Sequence, residues 1–316
     1  MRLSRHDVSD VIRGYVELTR PHNLVASALT TLIGCLTILT ILRTQIMIHN
    51  DIIALFMLAI FTVVFIAAGG YVINDYFDAD IDAINKPYRP IPSGRVSRKS
   101  ALTYSIVLFI VGLILALKIG FLAFLYALFN ALLLVIYSYK VKEYGLIGNV
   151  VISYLGAASI IFGALSICEY LNRLHLIINS LIPSLYAFLL LLGREIIKTI
   201  EDVEADKLRG VRSIPLIHGV KVAYMVSIIP LIIVILLSPL PFLLFKYTFI
   251  YLGIALVTDV LLVYAILKII RCLRVVNSMP MRAHTKVASK LRAELKVCVF
   301  VGIMAFLIDL LVRLLI

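Results

Sequence analysis

Charge is scarce in this chain. Of its 316 residues only 15% are Asp, Glu, Lys or Arg, against about 25% in an average soluble domain, and 62% are hydrophobic. With a mean hydropathy of +1.06, a water-soluble globular domain is excluded and a membrane protein is indicated. Paired cysteines are absent too. Cys35, Cys168, Cys272 and Cys298 stand singly with no C-x-x-C among them, so neither a disulfide framework nor a zinc site has support. They read as small buried hydrophobes. The amino-terminal stretch MRLSRHDVSDVIRGYVELTRPHN lacks a short apolar segment with a small-residue cleavage site. No removable signal peptide is expected, and insertion falls to the helices themselves.

What the chain does hold is a series of apolar runs, roughly residues 24–42, 52–73, 101–119, 121–138, 146–168, 176–197, 220–237, 243–270 and 297–315. A helix needs about 20 residues to cross about 30 Å of hydrocarbon, and each run approaches or exceeds that length. Lipid offers the backbone no partner, so each run must satisfy its own N–H and C=O groups. The expected fold is an all-α integral membrane protein with nine transmembrane helices in a bundle. It reads as one polytopic domain over residues 1–316, with acidic motif segments at about 74–99 and 199–219. Only a tight turn near Lys118–Gly120 separates the third and fourth spans.

The net charge of +12 sits in the links between runs. Arg2, Arg5, Arg13 and Arg20 precede the first; Lys86, Arg89, Arg95, Arg98 and Lys99 follow the second; Lys140 and Lys142 follow the fourth. Lys207, Arg209, Arg212 and Lys221 follow the sixth, and residues 271–296 are densely basic. The alternate links hold only Arg43, Lys118, Arg173 and Lys246. This asymmetry predicts a cytoplasmic amino terminus and an external carboxyl terminus, and it accounts for the basic charge without nucleic acid.

One stretch breaks the apolar pattern. VINDYFDADIDAINKPYRPIPSG, Val72–Gly94, puts Asp75, Asp78, Asp80 and Asp82 at the end of a hydrophobic run. An acid at a transmembrane helix centre costs about 2.5–3.5 kcal/mol; nearer the end it costs less, but gathered carboxylates repel one another and a cation removes that repulsion. At about 100° per residue, Asn74, Asp78 and Asp82 share one helical stripe with Asp75 at its flank. Asp202 and Asp206 do the same, with Thr199 and Glu195 on the preceding turns. Asp80, Glu201 and Glu204 fall off these faces and read as solvated helix-end charges. The order recurs as well: Asp78-x-x-x-Asp82 precedes Arg89-Pro-Ile-Pro92, and Asp202-x-x-x-Asp206 precedes Arg212-Ser-Ile-Pro215. This reads as a four-helix internal repeat, which puts both acid pairs on one side of the membrane.

Asn74, Asp75, Asp78, Asp82, Asp202 and Asp206 form an oxygen-only ligand set. Such a set suits a hard divalent cation, Mg²⁺ above all, which prefers a few carboxylates plus waters and phosphate oxygens to a closed protein cage. A diphosphate is the matching ligand.

At these residues the chain resembles a known family. Asn74-Asp75-x-x-Asp78-x-x-x-Asp82 is similar to the N-D-x-x-D-x-x-x-D signature of the UbiA-type intramembrane prenyltransferases, and Asp202-x-x-x-Asp206 to their second acidic motif. The likeness extends through Arg20-Pro-His-Asn23, Asn85 to Gly94, Tyr137-Ser-Tyr-Lys140, Gly145-Leu-Ile-Gly-Asn149 and residues 194–215. It implies a central cavity open toward the cytoplasm and sideways to lipid, with two Mg²⁺ ions joining the motifs to a prenyl diphosphate. Arg20-Pro-His-Asn23, Arg194-Glu195-Ile-Ile-Lys198 and Glu201-Asp202-Val-Glu-Ala-Asp206 look most like the archaeal ether-lipid branch. That branch joins geranylgeranyl diphosphate to geranylgeranylglyceryl phosphate. Thr199 and Ala205 depart from the pattern, standing where Asp and Gly are frequent.

The implied reaction is ionisation of an allylic diphosphate and capture of the cation by a hydroxyl. Metal and cationic side chains stabilise the leaving group, so Asp78, Asp82, Asp202 and Asp206 act in catalysis by holding metal and need not be bases. Arg89, Lys140 and Lys198, with Arg194 in the same segment, are candidates for diphosphate oxygens, and Arg20 and Asn23 for the acceptor's phosphate. Lys142, Arg95, Arg209 and Arg212 read equally well as positive-inside surplus. Tyr71, Tyr76, Tyr137 and Tyr139 fit an interfacial belt better than a cation shelter. His22 is given no catalytic part. The partners expected are a prenyl diphosphate, a membrane lipid-phosphate acceptor and the bilayer of the cell membrane, with no protein partner required. An aromatic or tetrapyrrole acceptor is the rival within the family. A divalent-cation transporter is the rival outside it, and would need acids spread through the membrane's depth.

Overall fold

The computed structural model describes residues 8–42 and 50–315. In chain order its helices are α1 (Val8–Thr19), α2 (Pro21–Leu42), α3 (Asn50–Asn85), α4 (Arg98–Ile119), α5 (Phe121–Tyr139), α6 (Leu146–Tyr170) and α7 (Leu181–Glu201). There follow α8 (Val203–Arg209), α9 (Ile214–Ile217), α10 (Val220–Leu237), α11 (Leu240–Leu244), α12 (Phe249–Arg274) and α13 (Met281–Leu315). Among the described residues nine helices are long and apolar enough to span a membrane, the number expected from the apolar runs. Arg2, Arg5 and Arg43, which entered the charge count, lie outside the described residues.

The apolar runs understate the helices at the end that bears the acidic motifs. There α3 continues to Asn85 and α13 begins at Met281, well before its apolar run at 297. The reason is amphipathicity: Arg282, Lys286 and Lys290 are exposed at i, i+4 and i+8, while His284, Ala288 and Leu291 are buried on the other side. The sixth and eighth runs begin irregularly. A 3-10 turn over Leu174–Ser180 precedes α7, and α12 starts only at Phe249, where the Thr248 hydroxyl caps it by accepting the Ile250 N–H. Gly120 does separate α4 from α5.

Small residues set the closest helix contact. A Cβ on Gly34 of α2 would lie 1.9 Å from the Ile160 carbonyl oxygen, and one on Gly163 of α6 would lie 2.0 Å from that of Thr31. The two backbones touch, so van der Waals packing replaces the hydrophobic drive that lipid removes. The Thr30 and Ser159 hydroxyls hydrogen-bond across this seam at 2.8 Å. Helices α2, α6, α7, α10, α12 and α13 line a partly open pocket. Its wall is mostly apolar, with Ile33, Ile160, Leu190, Val234, Ala255 and Phe306 each contributed by a different helix.

The two acidic segments do not share a backbone course. Helix α3 runs unbroken through Asp78 and Asp82, whereas α7 stops at Glu201 and Asp202 (φ −87°, ψ 7°) links it to α8. Asp202 thus sits at a helix junction rather than within one continuous stripe.

Candidate active site

The last turns of α3 turn three carboxylates inward: Asp75, Asp78 and Asp82 are only 6%, 7% and 1% exposed. Buried charge of one sign requires compensation, and each acid has it. Arg20 Nη2 donates to Asp75 Oδ1 at 2.5 Å. Arg89 Nη1 donates to Asp82 Oδ2 at 2.5 Å and reaches Asp75 Oδ1 at 3.3 Å. Lys142 Nζ donates to Asp78 Oδ1 at 2.6 Å, Arg209 Nη1 lies 3.3 Å from the same oxygen, and Asn74 Nδ2 donates to Asp78 Oδ2 at 3.0 Å.

Local backbone form brings these cations in. Arg20 is the single residue between α1 and α2 and sits at φ +52°, a left-handed conformation uncommon outside glycine. Its guanidinium lies 5.2 Å from the Tyr71 ring centroid, and Asn23 lies beside that tyrosine. Arg89 rides a tight turn directly after α3, its N–H bonded to the Lys86 carbonyl.

The second segment is differently equipped. Among the described residues no cation lies within ion-pairing distance of Asp202 or Asp206. Burial, reinforced by the Asp202 charge, pushes the Asp206 carboxyl up to about 6, against the pull of Ser213, Arg209 and Lys198. One turn earlier on α7, Arg194 bonds to buried Glu195, and Lys198 Nζ lies 3.3 Å from Glu195 Oε2.

Three observations join the two segments. Arg209 of α8 reaches Asp78 of α3. The Lys86 ammonium is lowered by burial and by Arg89, and is pulled the other way by Asp202 and Asp82, so it lies between the clusters. Tyr137 interacts electrostatically with both Asp78 and Asp206. The loops that carry Lys142 and Arg209 are themselves locked together. The Arg212 N–H bonds to the Glu143 carbonyl at 2.9 Å, and a Cβ on Gly145 would lie 2.1 Å from the Arg212 carbonyl oxygen. Gly145 also sits at φ +55°, so both space and conformation require glycine.

Most of the residues singled out from the sequence converge here, but Lys140 does not. It is half exposed and pairs with Glu143 at 2.5 Å. Lys142 and Arg209, which the sequence leaves open between phosphate contact and positive-inside surplus, hold Asp78, and Lys86, marked in the sequence only as link charge, joins the site. The available signal was placement: each follows an acidic or tyrosine-rich motif by only a few residues. Asp80 is exposed and pairs with Arg98, and Glu204 is exposed. Glu201, expected to be solvated, pairs with Arg292 of α13 at 2.8 Å. Acids toward the other end of the bundle are engaged locally: Glu169 accepts the first amides of α5, Asp309 accepts from Thr248, and Asp259 accepts from Ser238.

The donor set can be weighed for Mg²⁺. Among the described residues no three His, Cys, Asp or Glu side chains form a ready metal cage. Arg89, Lys142 and Arg209 are interleaved with the carboxylates instead. Oxygen-only donors fit Mg²⁺ in kind, and the interleaved cations are the groups that bind phosphate oxygens. The residues fit a metal that arrives with its phosphate ligand.

Nine apolar spans among the described residues, with carboxylates and cationic side chains interleaved at one end, define a multi-pass membrane protein. The chain belongs to the UbiA prenyltransferase family, whose model matches residues 27–275. It is 43% identical over 303 residues to digeranylgeranylglyceryl phosphate synthase of Hyperthermus butylicus, covering 95% of this chain and 97% of that protein. A solved structure of digeranylgeranylglyceryl phosphate synthase in membranes matches with a TM-score of 0.70 at 33% identity, over 95% of this chain and 98% of that one. A UbiA homolog from Archaeoglobus fulgidus bound to GPP and Mg²⁺ shares the fold, with a TM-score of 0.57 at 18% identity over 93% of this chain and 99% of that one.

Proposed function

We propose that this chain transfers the geranylgeranyl group of geranylgeranyl diphosphate to the hydroxyl of geranylgeranylglyceryl phosphate, an Mg²⁺-dependent step of archaeal ether-lipid synthesis. The observation that carries this reading is near-full-length identity of 43% to a protein named digeranylgeranylglyceryl phosphate synthase, in a chain that bears two acidic segments. Residues 1–316 act as one catalytic unit in the cell membrane, with the amino terminus and the acidic end facing the cytoplasm.

Electrostatics supports the metal. Arg20, Lys86, Arg89, Lys142, Arg194, Lys198 and Arg209 face Asp75, Asp78, Asp82, Glu195, Asp202 and Asp206, so the chamber is nearly neutral before substrate enters. A diphosphate brought there alone would add uncompensated anion. Asp78 and Asp82 from α3, with Asp202 and Asp206 across from them, hold Mg²⁺, and Asn74 and Asp75 complete the donor set. Bound Mg²⁺ supplies Lewis-acid stabilisation of the departing diphosphate. Arg89, Lys142, Arg209 and Lys198 exchange carboxylate for phosphate oxygens and so meet charge as it develops on the leaving group. Arg20 and Asn23, at the mouth of α2, together with Arg194, orient the acceptor's phosphate so that its hydroxyl lies against the allylic carbon.

The test is to incubate detergent-solubilised protein with radiolabelled geranylgeranyl diphosphate, Mg²⁺ and a panel of acceptors. Labelled digeranylgeranylglyceryl phosphate is the expected product. Product formed only with an aromatic acceptor would move the chain to a sister activity. No product with any acceptor, or full activity in both Asp78→Ala and Asp202→Ala, would overturn the reading.

A further inference from the structure

Helix α1 is not a membrane span, yet it exposes Val8, Ile12 and Val16 at 72%, 60% and 51%. Their spacing of four makes them one stripe. At about 100° per residue, α1 carries three distinct faces. Gly14 and Leu18 are buried, with Val11 and Tyr15 beside them, on the face toward the bundle. A Cβ on Gly14 would lie 2.9 Å from Val96, and Tyr15 meets Tyr104 edge to face at 5.1 Å. Asp10, Arg13 and Glu17 form the charged face, where Glu17 pairs with Arg13 and Arg95. The apolar stripe lies between them, about 110° from the protein face and about 130° from the charged one.

A helix standing free in water has no use for a third, apolar face. A helix resting one side against protein, one on lipid and one in water needs all three. The neighbouring surface supplies the lipid. One residue beyond α1, the spanning helix α2 exposes Val25, and α4, which α1 touches through Tyr104, exposes Ile106, Val107 and Ile110. The stripe therefore sits beside spanning helices that expose apolar side chains of their own.

We infer that α1 is an interfacial helix, lying in the leaflet at the acidic-motif end with Val8, Ile12 and Val16 in the boundary between headgroups and acyl chains. Its occupant is the bilayer itself. Through Arg20, the one residue linking it to α2, this seating holds the guanidinium on Asp75. The inference does not depend on the proposed reaction.

The chain has no tryptophan, so one introduced indole reports alone. Ile12→Trp and, on the charged face, Asp10→Trp are made in the full-length protein and reconstituted in bilayers containing lipids brominated near the headgroup end of their chains. Ile12→Trp is expected to emit at shorter wavelength than Asp10→Trp and to be quenched by bromolipid at least about threefold more strongly, with the order reversed for aqueous acrylamide. Equal quenching of both variants by acrylamide overturns the inference. Blue-shifted Ile12→Trp emission that bromolipid does not quench also overturns it, because the stripe is then covered by protein. Both positions are exposed, and a retained melting temperature in detergent confirms that each variant folds.

Discussion

The two acidic segments hold the same residue type at the same spacing and differ in nearly everything around it. The α3 segment is helical throughout, and its three buried acids, Asp75, Asp78 and Asp82, are each paired with at least one of Arg20, Arg89, Lys142 and Arg209. The segment after α7 breaks at Asp202, stays half exposed, and leaves Asp202 and Asp206 without an ion pair among the described residues. The protein's own cations thus satisfy one set of carboxylates and leave the other without such a partner among the described residues. The contrast teaches that identical motifs carry different costs: removing an acid strands cations in the first segment and relieves repulsion in the second.

The largest expected effect tests whether the segments act together. Asp78→Ala and Asp202→Ala should each lower the transfer rate at least about 100-fold, read from initial rates with saturating Mg²⁺. Their stabilities should part. Asp78→Ala leaves Lys142 and Arg209 partly buried without partners and should cost about 2 kcal/mol in chemical denaturation without Mg²⁺, less than a fully buried pair because both keep some solvent. Asp202→Ala should cost nothing or stabilise, since it removes the charge that opposes ionisation of Asp206. Equal destabilisation would erase the distinction.

Next comes Arg89→Ala, which leaves Asp82, almost wholly buried, with no cation. A loss of about 3 kcal/mol is expected without Mg²⁺, with Mg²⁺ and diphosphate restoring more stability to this variant than to the unaltered chain. Differential scanning in both conditions reads it. A smaller effect follows from Asp206. Its folded-state carboxyl titrates near 6, above its ordinary 3.8, so its contribution to stability is full below pH 3.8 and is lost as pH rises through about 6. Mg²⁺ must displace that proton. The upward shift in melting temperature that Mg²⁺ gives should therefore be larger at pH 7.5 than at pH 5, and Asp206→Asn should remove the difference. Smallest is Lys140→Ala: paired with Glu143 in the open, Lys140 should change the rate less than about twofold and leave the melting temperature essentially where it is.

Reading the sequence found what periodicity and cost make visible. Nine spans, the α3 carboxylates and Arg20 with Arg89 follow from hydrophobic length, from spacings of three and four, and from the expense of acid near lipid. What escaped was set by loops. Whether Lys140 or Lys142 turns inward depends on the 3-10 turn over Val141–Glu143, and one residue decides which ammonium meets Asp78. The break at Asp202 was hidden because the acid spacing of four suits an unbroken helix and a helix junction equally. Helix α1 was masked by its charge, since an interfacial helix has no apolar run long enough to count as a span.

Gly145 pressed on the Arg212 carbonyl couples two stretches of chain more than sixty residues apart. Lys142 stands just before that contact and Arg209 just after the second acidic segment, and both grip one oxygen of Asp78. They form a two-pronged clasp with a shared hinge pin, so neither prong can be withdrawn by a loop motion that leaves the other behind.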